Sequence, residues 1–203
     1  IVENGDMTEK QRNKLLAEMT DEVAHLVLRH NEGQSHLLSL VNSRAPERIA
    51  DHWRLMLSLV REGRLNREIE FLPTDAQMKK RMSKGQGLTR PEISVLLAYS
   101  KIKFAEQLVD DGIGEDPDLR AQIKDYFPKP LVQRFSEHMI EHPLAQEIIA
   151  AHVTNNVGNR MGSTFTTYVQ EETSASALNV LRAYMAAEQM FDIPALWDAI
   201  NEL

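Results

Sequence analysis

Apolar residues recur three and four positions apart along nearly the whole chain, and that periodicity constrains the fold more than any other feature. Thr8 with Gln11 makes a capping box ahead of Leu15, Leu16, Met19, Val23, Leu26 and Val27. This predicts a first helix from 8 to about 30, with Thr20 a candidate break, and a second helical stretch over 34–42. Pro46 starts a third, carrying Ile49, Trp53, Met56, Leu57 and Val60. Gly63 and Pro73 mark loops, after which Thr74 or Asp75 caps a helix running to Met82. Thr89 caps the next, with Pro91 in its first turn, where a missing amide proton costs little. Apolar residues on several faces of that helix predict burial on more than one side.

The second half reads the same way. Asp116-Pro117 opens a short helix towards Tyr126, and Pro128 and Pro130 break the chain and start one with Leu131, Phe135 and Met139. Pro143 begins another through Ile148, Ile149, Val153 and Val157. Helices over 163–172 and 176–190 follow Gly162, and a last one after Asp192 carries Leu196, Trp197, Ile200 and Leu203. TFTTYV at 164–169 is the one segment that fits a strand. Phe165, Tyr168 and Val169 also share a helix face, and helix is the reading taken. No 20- to 50-residue period repeats, which argues against a solenoid. The expectation is all-α: a non-repetitive bundle of eight to ten short helices.

Composition removes several function classes. The 203 residues include no cysteine, which excludes disulfides, zinc fingers and thiol chemistry and suits a reducing cytoplasm. A net charge of −7 argues against nucleic acid. The densest basic patch, Lys79, Lys80, Arg81 and Lys84 with Arg90 nearby, reads as a solvated helix face. No apolar run approaches the ~18 residues of a membrane span, and no signal peptide opens the chain. IVENGD starts without a methionine, so the chain is expected to be a piece of something longer.

Four motifs invite chemistry. HMIEH at 138–142 matches a zinc-peptidase signature, yet Pro143 pushes His142 out of helical geometry, and no third ligand stands out. GQG at 85–87 follows a basic helix rather than a strand, and position 90 is Arg, so it reads as a turn and not a dinucleotide loop. DDGIGEDPD at 110–118 lacks the ligand spacing of a calcium loop around Gly112 and reads as a solvated loop with Asp116 as a cap. His25, His30 and His36 have no ligand-like grouping. No catalytic, cofactor-binding or metal residues are assigned.

NNVGNRMG at 155–162 is the most informative polar run. Asn155 and Asn159 lie four apart on the face that continues Ile148 and His152. An unpaired buried amide costs about 1–3 kcal/mol, so these side chains need partners. His152, Asn155, Asn159 and Arg160 are therefore a candidate polar cluster. The favoured role is packing against a neighbouring helix, with Gly162 as the C-terminal cap; the alternative is contact with a partner domain or ligand.

Longer stretches carry a family resemblance. RNKLLAEMTDEVAHLVLRHN at 12–31, GLTRPEISVLLAYSKI at 87–102, YFPKPL at 126–131, NRMGSTF at 159–165 and the tail from EETSAS at 171 resemble the C-terminal region of the large bacterial NAD-specific glutamate dehydrogenases. Glu32 departs from an expected aromatic residue, and Ser174 stands where Gly is usual. The resemblance implies a parent enzyme that converts L-glutamate, NAD and water to 2-oxoglutarate, ammonia and NADH. Its catalytic and nucleotide-binding residues precede the matched region, so none is carried over and this piece is expected to be inactive alone. Residues 1–44 would be the helical end of the dehydrogenase domain and 45–203 a C-terminal helical domain. The expected partners are the catalytic domain of the same chain and other subunits. A free-standing helical interaction module using the Asn155–Arg160 surface is the alternative.

Overall fold

The computed structural model describes Gly5 and residues 7–201, with only the backbone of Asp198 and Asn201. The rest of IVENGD and the expected apolar residue Leu203 lie outside the described residues. Within them the chain is all-α, with no strand. The helices are α1 (Glu9–Ser43), α2 (Ile49–Arg61), α3 (Asp75–Ser83), α4 (Arg90–Asp110), α5 (Pro117–Ala121), α6 (Ile123–Tyr126), α7 (Lys129–Ile140), α8 (Ala145–Met161), α9 (Phe165–Thr173), α10 (Ala177–Met190) and α11 (Ile193–Asn201). A 3-10 turn spans Ile113–Glu115. TFTTYV falls largely on α9, as the shared face of Phe165 and Val169 predicted.

Start signals written in the sequence are used. Thr8 and Thr74 form reciprocal capping boxes with Gln11 and Gln77. The Thr89 amide donates to Glu92 at 2.7 Å at the start of α4. Asp116 accepts from the amides of Asp118 and Leu119 and so caps α5. Gly162 ends α8 at φ +81.

The first two predicted helices are one. α1 runs unbroken for 35 residues, so the expected break near Thr20 and the gap before residue 34 are corrected. The Thr20 hydroxyl donates to the Leu16 carbonyl at 3.0 Å, which satisfies it inside the helix. Gly33 lowers helix propensity by about 1 kcal/mol relative to alanine, but tertiary contacts override it. Leu37 is buried, and the Arg90 guanidinium donates to the Ser39 hydroxyl (3.0 Å) and the Ser35 carbonyl (3.1 Å).

Two cores share α4. Its N-terminal half supplies Ile93 and Leu96 to one core, with Ile49, Leu55, Met56 and Leu59 of α2 and Met78 of α3. Its C-terminal half supplies Phe104 and Leu108 to the other, with Ile149, Val153 and Val157 of α8 and Leu178 and Leu181 of α10. A 21-residue helix is about 30 Å long, enough to cross both. Burial on several sides of α4 follows directly, as its apolar pattern predicted. α1 and α8 both lie against α4 and against each other.

Candidate functional site: a donor-rich cleft between α1 and α8

The close pairing of α4 and α8 rests on a glycine. A Cβ on Gly158 would stand 2.6 Å from Lys101 Cε and 3.2 Å from its Cγ, so the lysine stem passes where a side chain would otherwise be. Lys101 is thereby laid across α8. Its ammonium donates to Asn159 Oδ1 at 2.7 Å and Asn155 Oδ1 at 3.1 Å. Because an ammonium has only donors, both amide oxygens must face it, and both NH2 groups are left over as donors.

The ammonium is half-buried, forms no ion pair with a carboxylate of the described residues, and has a third N–H with no protein acceptor among them. Burial lowers its pKa to about 8. His30 on α1 is also pushed down, by burial and then by the Lys101 charge. His152 on α8 is lowered by burial, with Asp125 opposing and His30 assisting. The His30 and Gln34 Nε2 atoms lie 2.7 Å apart, and the Asn156 amide nitrogen lies 3.2 Å from His152 Nε2. Each amide NH2 donates, so each imidazole accepts at Nε2 and keeps a proton on Nδ1.

His30, His152 and the amides of Asn155, Asn156 and Asn159 line a cleft of about 630 Å³ between α1 and α8, with Asp125 and Tyr126 of α6 and Trp197 of α11 also on its walls. His152, Asn155, Asn159 and Arg160 all face it, together with Arg29, His30 and His36 of α1. Arg160 is tied to Glu188, whose carboxylate also accepts from the Tyr184 hydroxyl at 2.6 Å. Burial opposes the Arg160 charge, but Tyr184 and Glu188 outweigh it and raise its pKa. Burial and the bond to Glu188 likewise push the Tyr184 phenol up. Lys101, which holds two of the lining amides from behind, is what sequence reading missed. A mid-helix glycine at 158 was the available signal, since such a residue marks a close approach.

The other motifs occupy structural places. His142 lies beyond the end of α7, and its Nδ1 accepts the Leu144 amide at 3.0 Å, so that nitrogen is committed. The His138 ring packs edge-on against Phe135, with centroids 5.8 Å apart. Gly87 is pressed on Ala45: a Cβ there would meet the Ala45 carbonyl carbon at 2.3 Å. That loop joins α3 to α4, so a helix and not the strand of a dinucleotide fingerprint leads into it. In the acidic loop, Asp111 accepts the Leu178 amide at 3.0 Å and Asp116 accepts from Arg182 at 2.7 Å. Arg81, from the basic patch, grips Glu92 with bonds of 2.6 and 2.8 Å.

Fold and site together define an all-helical domain with a donor-rich cleft. Residues 85–203 match the family model described as "Glutamate dehydrogenase, C-terminal", and residues 1–41 match "Bacterial NAD-glutamate dehydrogenase, catalytic domain". The chain belongs to this glutamate dehydrogenase family. It is 44% identical over its whole length to the NAD-specific glutamate dehydrogenase of Pseudomonas aeruginosa, of which it covers 12%. The Halomonas elongata protein of the same name is 38% identical, again over the whole chain and 13% of that protein. The Mycobacterium tuberculosis protein of that name is 30% identical over 99% of the chain and 12% of its own length. The chain thus spans about an eighth of the relatives it matches. No solved structure matches it.

Proposed function

We propose that this chain is the non-catalytic, C-terminal helical part of a large NAD-dependent glutamate dehydrogenase of the cytoplasm, serving glutamate catabolism. The parent enzyme converts L-glutamate, NAD and water to 2-oxoglutarate, ammonia and NADH. The NAD site and the catalytic residues belong to the part of that enzyme outside this chain. Residues 1–44 form the helical end of the dehydrogenase domain, and 45–203 a separate helical domain that packs on it.

The observation that carries this reading is the surface of α1. Leu16, Val23 and Val27 recur seven and four apart on one stripe and are about half exposed, at 53%, 42% and 52%. The opposite contacts of the helix are already made: Glu18 pairs with Arg134 at 2.7 Å, and Glu22 accepts the Lys129 amide at 3.1 Å. The exposed stripe lies within the residues that match the catalytic-domain model. A rigid helix with one face in the bundle and the other apolar and open fits docking against the dehydrogenase core.

Replacing Leu16, Val23 and Val27 by serine in the full-length enzyme tests this. Weaker subunit assembly or lower glutamate-dependent NAD reduction is expected, while the same changes leave the isolated 203-residue chain folded. A full-length variant with wild-type assembly and turnover would overturn the reading. The isolated chain itself is expected to reduce no NAD with glutamate.

A further inference from the structure

The cleft between α1 and α8 is poorer in carboxylates than the chain around it. The protein carries a net charge of −7, yet among the described residues this cleft is lined by Arg29, Arg160 and three histidines against one carboxylate, Asp125. Glu188 neutralises Arg160. Arg29 and, beneath the wall, Lys101 have no ion-pair partner among the described residues. A half-buried ammonium held only by neutral amides is costly, because desolvation is not repaid by a counter-charge.

We propose that the cleft binds a small oxyanion, a carboxylate or phosphate group, held by the Asn155 and Asn159 amide NH2 groups and the Arg29 guanidinium over the Lys101 charge. Lys101 fixes both amides with their oxygens inward, so their donors are pre-oriented before any ligand arrives. His30 and His152, whose Nε2 atoms are met by the Gln34 and Asn156 amides, stand on the same walls. An anion also supplies the counter-charge that Lys101 lacks, and charge-assisted bonds in a partly dry cleft are the stronger kind. Gly158 is essential to this device, since a side chain there would lift Lys101 off the amides. Val27 belongs both to this cleft and to the open stripe of α1, and the inference is tested on the chain alone, without any docked core.

The test is calorimetric titration of the 203-residue chain with sodium phosphate and, separately, sodium succinate, at an ionic strength held constant with sodium chloride. Saturable binding of at least one probe is expected, and the one that binds identifies the source as phosphate or carboxylate. Lys101→Met should weaken it about tenfold or more, because it removes the charge beneath the amides and releases their orientation. Arg29→Gln, a change on an exposed residue that leaves the fold intact, should weaken it several-fold. In the wild-type chain the 13Cε resonance of Lys101 should titrate at higher pH once the probe is bound. No saturable binding of either probe, or equal affinity in both variants and wild type, overturns the proposal.

Discussion

Gly158 and Lys101 occupy the same ground: the lysine stem runs so close over the α8 backbone that a Cβ on the glycine would lie 2.6 Å from Cε. The glycine exists to seat the lysine, and the lysine orients two asparagines.

Gly158→Ala therefore has two opposed effects. It improves helix propensity by about 1 kcal/mol, and it forces a flexible side chain aside. Stability should change by less than about 1 kcal/mol, a balance that chemical denaturation can read. Lys101, displaced towards water, should regain an ordinary lysine pKa, which a 13C titration of its ε-carbon would detect.

Lys101 also gives the fold a pH dependence of definite sign. Its pKa is about 8 in the folded chain and ordinary in the unfolded one, so the unfolded state binds its proton first as pH falls. The penalty is complete below pH 8 and fades as pH rises towards 10.5. Its neighbours are His30 on α1 and His152, Asn155, Asn159 and the Arg160–Glu188 pair around α8. The histidines are already neutral in that window, and Tyr184, raised by burial, opposes the trend only above about pH 10. Wild-type stability should thus rise from pH 8 to 9.5, and the rise should vanish in Lys101→Met.

Glu92 joins two tasks. It accepts the Thr89 amide at 2.7 Å at the start of α4 and holds Arg81 of α3 through two bonds. Burial alone would raise its pKa, but Arg81 and Thr89 overcome that and lower it. Glu92→Ala should cost about 2 kcal/mol, the sum of a lost cap and a lost charged pair. Glu92→Gln keeps an acceptor for the cap and should cost about half as much, by urea denaturation.

Ser174 ends α9 at φ +56, in the left-handed region that favours glycine. The family resemblance led to an expectation of Gly here, and the left-handed geometry is one that suits Gly. Ser174→Gly should stabilise the chain by about 0.5–1 kcal/mol, visible as a higher thermal midpoint.

Much of the architecture was legible because the relevant signals are local. Thr8, Thr74, Thr89 and Asp116 each cap a helix from within three or four residues, and those starts were readable directly. The unity of α1 was not. Thr20 and Gly33 are weak breakers by propensity, and what overrides them is Leu37 in the core and Arg90 reaching across from α4. The spacing of Asn155 and Asn159 showed that two amides share a face, without showing what they hold. Lys101, more than fifty residues earlier, reaches them only through the crossing of α4 and α8.

By itself, then, the sequence determined the helical class, most helix starts, the polar face of α8 and the family, all of which depend on short-range pattern or extended similarity. Tertiary structure alone decided that the Lys101 ammonium lies beneath that face, that Arg29 lines the same cleft, and that one stripe of α1 stays open. Those are matters of which helices touch. Side-chain desolvation and charge depend on that contact, and no local periodicity encodes it.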